Sequence, residues 1–180
     1  LGKKSIMVID TGGTKEIGEK LFANIRKISQ LPISHVIITH SHPDHFFGTE
    51  AFLNESPTVV GHEKLNRSLI TNFEFYKNSQ YSNIENESLK NLKLVKADLL
   101  IKTNTEKKID LGERIIEVKA WKSGHTDNDL SVYDLKTKTF WSENVFVKRT
   151  PSIRASILGW KENLLRIMKM DIKLIVPGHG

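Results

Sequence analysis

Apolar runs and a helical periodicity alternate in the N-terminal part of the chain. Residues 5–10 form an apolar run that enters the turn Thr11-Gly12-Gly13, which is typical of a buried strand followed by a glycine turn. Residues 16–29 carry apolar side chains at helical spacing, and Pro32 ends that segment. Residues 35–39 form a second apolar run. Strand, helix and strand in this order favour a parallel pair of strands.

The rest of the chain predicts two hairpins between two helical segments. Residues 58–60 predict a short strand, residues 63–77 a helix, and the polar residues 78–91 a loop with a weak helix. The later elements are hairpin strands at 107–110 and 114–120, hairpin strands at 130–134 and 139–141, an amphipathic helix at 160–170 and a last strand at 172–176. This order predicts one domain over residues 1–180.

Composition narrows the chemistry that the chain can carry. Hydrophobic residues make up 38% of the 180 residues, enough for a core, and cysteine is absent. A metal must therefore be bound by His, Asp, Glu or Asn side chains. No run approaches the ~20 apolar residues of a membrane span, so we expect no membrane association. No signal peptide is visible, but the chain starts at Leu1, so the sequence leaves the compartment open between cytoplasm and periplasm.

The formal net charge is +6, and the basic residues are mostly scattered lysines. A solvated lysine-rich surface is the ordinary interpretation of this pattern. The alternative is an attraction for anionic substrates or nucleic acid. The sequence leaves the oligomeric state open.

The segment THSHPDH at residues 39–45 concentrates three of the seven histidines around one aspartate. His40 and His42 are alternate residues, so an extended segment places both side chains on one face. A turn after Pro43 can direct Asp44 and His45 toward a second point. Imidazole is a common metal ligand, and this spacing predicts a metal site.

Two further histidines lie at the same kind of position. His125 follows the predicted strand at 114–120, and His179 follows the last predicted strand. Each lies beside a glycine, where the backbone can approach an ion closely. We expect the remaining two histidines, His35 and His62, to be ordinary core or surface residues.

These motifs resemble those of a known family. THSHPDH is similar to the HxHxDH signature of the metallo-β-lactamase superfamily, and three other short motifs match in the same order along nearly the whole chain: Asp10-Thr11-Gly12, Gly124-His125-Thr126 and Pro177-Gly178-His179-Gly180. The branch called quinoprotein-relay-type zinc metallohydrolases is the most similar, through residues 60–63, 146–151 and 158–160.

The resemblance implies a fold and a set of ligands. The fold would be α+β, a four-layer αββα sandwich of the metallo-hydrolase/oxidoreductase type. The family's first zinc ion would be bound by His40, His42 and His125, and its second by Asp44, His45 and His179. Asp44 would also act as the catalytic residue that orients the attacking hydroxide. Asp10 and Asp129 are candidates for orienting the ligands, with a turn or strand-end cap as the alternative.

The chain departs from the family at the residue that usually bridges the two ions. Most hydrolases of the superfamily have an aspartate there, and Asn144 stands at the matching position. We expect Asn144 to be a weaker ligand and the second zinc ion to bind less tightly. The neighbouring Glu143 should face away, because alternate residues of a strand point to opposite faces unless the chain bulges. The strands and segments that the family carries at its two ends are expected to be short or missing here.

The function that the resemblance implies is a zinc-dependent hydrolase that uses a metal-activated hydroxide on a small ester, thioester or lactam. One alternative is a metal-binding module with little or no turnover, suggested by Asn144 and the short ends. The other is a nucleic-acid processing hydrolase, suggested by the charge, although 180 residues leave no room for the inserted domain that such enzymes carry. We therefore expect a small-molecule substrate and no nucleic acid. Residues 46–60, 66–90 and 148–156 are expected to form the pocket walls.

Overall fold

The structure is a computed structural model that describes residues 1–84, 89, 91–146 and 154–179. Its strands are β1 (Ile6–Ile9), β2 (Ile33–Ile37), β3 (Thr58–His62), β4 (Leu99–Ile101), β5 (Glu106–Asp110), β6 (Ile115–Ala120), β7 (Leu130–Asp134), β8 (Thr139–Phe146) and β9 (Leu174–His179). Its helices are α1 (Lys15–Ile28), α2 (Pro43–Phe46), α3 (Leu65–Ile84) and α4 (Ile157–Ile167), together with a 3₁₀ helix over Thr49–Glu55.

The first sheet contains strands β1 to β4 in sequential order, and all its pairs are parallel. Its central strands are apolar on both faces: Val36, Ile37, Val59 and Val60 are all buried. A parallel sheet covered on both faces has this near-continuous apolar sequence. The predicted parallel pair at the start of the chain is therefore part of a larger parallel sheet.

The second sheet contains strands β5 to β9 in sequential order. Its first three pairs are antiparallel, and β9 returns parallel to β8. The tight turn between β5 and β6 needs two residues with positive φ, Gly112 at 89° and Glu113 at 53°. Glycine meets this requirement without steric cost, which is why a Gly-containing turn suits the connection between these two strands.

Three apolar clusters show that the sheets and helices form four layers. One cluster lies between the sheets, where Ile37 and Val60 of the first meet Val118 and Val132 of the second. Another packs α1 and α3 against the outer face of the first sheet. The last packs Ile167 of α4 on the second sheet. The αββα sandwich that the resemblance implied is confirmed.

Element boundaries differ from the predicted ones where side chains rather than periodicity set them. Helix α4 begins at Ile157, earlier than predicted, because Ser156 Oγ accepts a hydrogen bond from Gly159 N at 3.0 Å. Helix α3 continues to Ile84 into the stretch predicted as loop and weak helix, most of whose remainder lies outside the described residues. Strand β4 is three residues long and was missed because so short a segment shows no periodicity.

A close approach between Gly18 of α1 and Gly48 fixes the segment that follows THSHPDH against α1. Thr14 caps α1 by accepting a hydrogen bond from Ile17 N at 3.2 Å. One turn later, a Cβ on Gly18 would lie 2.3 Å from Gly48 O, so only glycine allows this contact. The segment that follows THSHPDH is thereby held on the first sheet. No helix in the described part of the chain is long and apolar enough to span a membrane.

Candidate metal centre

The THSHPDH segment changes from extended chain to helix at His42. His42 has φ −83° and ψ 142° and is the residue before α2, which begins with Pro43. Proline is favoured at the first helical position because its missing N–H would be unpaired there anyway. His40 and His42 therefore project from the extended part, and Asp44 and His45 from the single helical turn.

Three imidazoles converge at the end of β2. His40 Nε2 lies 2.8 Å from His42 Nδ1, and His125 Nε2 lies 3.2 Å from the same atom. Nitrogen ligands about 2.0–2.1 Å from a tetrahedral zinc ion are separated by about 3.3 Å. The three ring nitrogens are therefore spaced as ligands of one ion, and we call this set (His40, His42 and His125) the first cluster.

The protonation state of the three histidines in the first cluster favours metal binding. Burial lowers the pKa of His40 well below its ordinary value, and the neighbouring imidazoles add to this effect. Burial likewise lowers the pKa of His42 to about 4 and that of His125 to about 3. At neutral pH all three rings are neutral and have a free lone pair, which is the form that binds a metal ion.

Asp44, His45 and His179 form the second cluster. Asp44 Oδ2 lies 3.3 Å from His45 Nε2 and 3.2 Å from His179 Nε2. Burial alone would raise the pKa of Asp44, but the hydrogen bond and charge of His45 lower it to about 2. The carboxylate is therefore ionised at neutral pH. An oxygen and two imidazole nitrogens form a donor set that suits a second zinc ion.

Asp10 orients His45. Its carboxylate accepts hydrogen bonds from Thr39 N at 2.8 Å and Thr39 Oγ1 at 2.7 Å, and it lies 2.7 Å from His45 Nδ1. Burial would lower the pKa of His45, but Asp10 and Asp44 raise it to about 11. With Nδ1 engaged by Asp10, Nε2 of His45 faces Asp44. Asp10 itself adopts a φ of 56°, in the left-handed region that few non-glycine residues occupy.

Asp129 holds the loop that carries His125. It accepts hydrogen bonds from Thr126 N at 2.9 Å and Thr126 Oγ1 at 2.6 Å. Burial raises the pKa of Asp129 to about 7. These are the contacts of a turn residue, so Asp129 fixes the backbone next to His125.

Glu143 faces the clusters, so the exception that the prediction made for a bulge applies and the alternation it otherwise assumed does not. The pairing of β8 with β9 is irregular between Ser142 and Phe146, so simple alternation fails there. Glu143 Oε1 lies 3.7 Å from His45 Nδ1, and Glu143 groups with His40 and His45 as a third set of ligand atoms. Burial raises the pKa of its carboxyl group.

Gly178 makes room for the Glu143 side chain. A Cβ at position 178 would lie 1.9 Å from Glu143 Oε2. This buried oxygen has no hydrogen-bond partner among the described residues. The glycine before His179 therefore lets a carboxylate fill the space beside the clusters.

Asn144 is fully buried behind the loop that carries His125. Its amide oxygen lies 2.7 Å from the position that a Cβ on Gly124 would occupy. Neither amide atom has a hydrogen-bond partner in the part of the chain that the structure describes. Asn144 as a ligand of the second ion stays a prediction.

His35 and His62 stand apart from both clusters. His35 Nδ1 lies 2.9 Å from Ser34 Oγ on β2. His62 is buried, and its Nε2 lies 3.2 Å from Trp121 O and 3.2 Å from Thr103 Oγ1. The contacts of both residues are those of structural histidines.

Two cavities adjoin the clusters. One of about 420 Å³ lies beside the second cluster, between Ile17 and Leu21 of α1 and Val176 of β9. The other, of about 220 Å³, lies beside His42 and is lined by α3 and Arg154. Of the predicted wall regions, 66–90 contributes Ser68, Asn72 and Tyr76 to the smaller cavity and 148–156 contributes Arg154, whereas 46–60 contributes to neither cavity. Residues 85–88, 90 and 148–153 of these regions lie outside the described residues. No pattern in the sequence indicated that α1 and β9 would line a cavity beside the clusters.

Comparison with solved structures identifies the same fold. A metallo-beta-lactamase from Pontibacter korlensis matches with a TM-score of 0.76 and 22% identity, covering 100% of this chain and 77% of that one. An archaeal metallo-beta-lactamase superfamily protein from Sulfolobus tokodaii matches with a TM-score of 0.71 and 17% identity, covering 99% of this chain and 71% of that one.

Sequence comparison adds one relative and a family. A linear primary-alkylsulfatase from Pseudomonas sp. is 36% identical over 62 residues, which are 34% of this chain and 12% of the alkylsulfatase. The chain thus matches a small part of that enzyme's length. The family model of the metallo-beta-lactamase superfamily matches residues 1–179. With this match, and with its two histidine-rich clusters at one end of an αββα sandwich, the chain belongs to the metallo-beta-lactamase superfamily.

Proposed function

We propose that the protein is a zinc-dependent hydrolase that cleaves a small ester, thioester or lactam. The observation that carries this proposal is the convergence of three neutral imidazoles, with Nε2 of His40 at 2.8 Å and Nε2 of His125 at 3.2 Å from Nδ1 of His42. They adjoin a second donor set built on the Asp44 carboxylate. Zinc bound at such donors lowers the pKa of a water molecule to about 7 and polarises a substrate oxygen.

The chain's own residues orient this site. Asp44 Oδ2 lies 3.3 Å from His45 Nε2 and 3.2 Å from His179 Nε2, so this ionised carboxylate can position a water molecule beside both rings as a hydrogen-bond acceptor. Asp10 fixes the ring of His45 through Nδ1. Orienting contacts of this kind typically contribute 10- to 100-fold to metal affinity or activity.

Glu143 supplies the negative charge that Asn144 lacks. We assign it as the carboxylate that balances the two ions, because its oxygens lie within 4.8 Å of ligand atoms of His40 and His45. A buried carboxylate with an unpaired oxygen is costly unless a cation balances it. A fully occupied second site then needs no contribution from Asn144.

The relatives support an ester as the substrate. The alkylsulfatase that matches over 62 residues is named for a sulfate ester, so sulfate esters belong with carboxylic esters in the substrate panel. A metal-binding module with little turnover remains the competing proposal, and turnover decides between them.

Metal analysis followed by a substrate panel tests the proposal. The purified protein should contain zinc and hydrolyse at least one of nitrocefin, a thioester, a lactone and an alkyl sulfate. His42→Ala should lose both zinc and hydrolysis, while His35→Ala, a matched change on β2 outside the clusters, should keep both. Full zinc and full activity in His42→Ala would overturn the assignment. Zinc without turnover in the wild type would favour the binding module.

A further inference from the structure

The larger cavity, beside the second cluster, has mostly apolar walls and one polar end. Its volume is about 420 Å³, within the range of about 300–1,000 Å³ of pockets that hold small molecules. Helix α1 lines it with Ile17 and Leu21, and strands β8 and β9 line it with Trp141 and Val176. Apolar walls with a few polar groups in one place are typical of sites that bind and orient a small molecule.

Two aliphatic side chains of this cavity take no part in the core. Ile17 is 48% exposed and Val176 is 37% exposed, and neither belongs to the three apolar clusters that the described residues form. Ile17 is nevertheless held in place, because a Cβ on Gly12 would lie 2.3 Å from its Cγ2, so the side chain packs closely on the glycine turn. A ligand that covers Ile17 and Val176 would remove from water the apolar surface that the core leaves exposed.

The polar end of the cavity is the second cluster. Asp44 Oδ2 and His179 Nε2 lie 3.2 Å apart, and both side chains line the cavity and are partly exposed. No lysine or arginine of the described residues lines it, so a negatively charged chain would find no partner there. A ligand of this cavity therefore has its reactive group at the metal ligands and an uncharged apolar part between α1 and β9.

We propose that the larger cavity binds an uncharged hydrocarbon chain of the substrate, on the acid or the alcohol side of the ester, and that Ile17 and Val176 determine this specificity. The inference rests on the proposed hydrolase function and names its substrate class: an ester with an apolar chain. With the chain between α1 and β9, the ester group lies beside Asp44 and His179. The cavity thus favours long chains over short ones, because each buried methylene adds to the affinity.

Two series of esters test this specificity. p-Nitrophenyl acetate and hexanoate differ in the chain on the acid side, and ethyl acetate and hexyl acetate differ in the chain on the alcohol side. In at least one series, the wild-type kcat/KM should rise about fourfold for each added methylene.

Variants of the cavity wall should reduce this preference. In Ile17→Gln, the ratio of kcat/KM for the long ester over the short one should fall about fivefold, because the chain then meets an amide instead of an aliphatic side chain. Ile17 is about half exposed, so the amide remains hydrated and the fold is kept. Val176→Thr, which keeps the shape of the side chain, should also lower the ratio. Ile28→Gln, the same change at the other end of α1 and outside the cavity, should leave the ratio unchanged.

Binding of 1-octanol provides a test that depends on neither zinc nor turnover. In calorimetric titrations of the purified protein, 1-octanol should bind at least tenfold more tightly than 1-butanol, and Ile17→Gln should weaken octanol binding while Ile28→Gln should not. If no ester of either series is hydrolysed, the proposed function fails, and the octanol titration still decides what the cavity binds. The inference would be overturned by a kcat/KM that rises with chain length in neither series of hydrolysed esters. It would also be overturned if Ile17→Gln and Val176→Thr left both the ester ratio and the octanol affinity unchanged.

Discussion

Replacing Glu143 by Gln should separate two effects of this carboxyl group: a loss of folding stability in the metal-free protein and a gain of zinc affinity at the metal site. The substitution keeps the volume of the side chain and removes its charge. In the metal-free protein this carboxyl group is buried, and burial raises its pKa. Its Oε2 has no hydrogen-bond partner among the described residues. Metal-free Glu143→Gln should therefore be as stable as wild type or more stable when the glutamate is ionised, because a carboxyl group whose pKa is raised by burial costs stability in its charged form.

The zinc-loaded protein should respond in the opposite direction. Glu143 Oε1 lies 3.7 Å from His45 Nδ1, within the set of ligand atoms. Unit charges about 4 Å apart interact by about 4 kcal/mol at an effective dielectric constant of 20. Desolvation offsets much of this attraction, so we expect one zinc ion to bind about 10- to 100-fold more weakly, as is typical for loss of a contact that supports a metal site.

The assay is competition for zinc with a chromophoric chelator, together with urea unfolding of the metal-free protein. Glu117→Gln on β6 is the matched control, because it makes the same chemical change outside the clusters. Two zinc affinities that are unchanged in Glu143→Gln would refute the reasoning, and would show that this carboxylate does not act on the ions.

Two further predictions concern stability. Removal of zinc by a chelator should lower the melting temperature, because the two clusters join three separate segments of the chain; free zinc at a hundred times Kd would stabilise by about 2.7 kcal/mol. A melting curve that the chelator leaves unmoved, on protein shown to contain zinc, would contradict this. Asp134→Asn should destabilise the fold at pH 7 by about 1–3 kcal/mol, since Asp134 accepts hydrogen bonds from Arg114 Nε at 3.0 Å and Thr137 Oγ1 at 2.6 Å. Burial would raise the pKa of Asp134, but these contacts lower it, so the stabilisation is present above its unfolded pKa of about 3.9 and is lost as the pH falls further. Urea unfolding should show the gap in stability between variant and wild type narrowing as the pH falls below the unfolded pKa of Asp134, and a gap independent of pH would contradict the role of this charge.

The sequence by itself predicted the residues of the two clusters, and its motifs carried the resemblance that implied the four-layer fold. His40, His42, Asp44 and His45 could be placed because they lie within six positions, so their directions depend only on an extended segment and one helical turn. Apolar runs and helical periodicities were strong enough to give the order of most elements. The motifs around His125 and His179 were recognisable because each combines a strand end with a glycine.

Only the tertiary structure decided which neighbouring side chains join these ligands. Glu143 faces the clusters because β8 and β9 lose their regular register after Ser142, and register is a property of two strands that neither strand's pattern contains. Arg154 comes to lie beside His42 because its guanidinium donates to Tyr76 Oη and its backbone N–H donates to His125 O, and both partners are distant in sequence. Local spacing fixes the direction of a side chain relative to its own backbone, whereas its partners depend on how separate elements pack, and that information exists only in the folded chain.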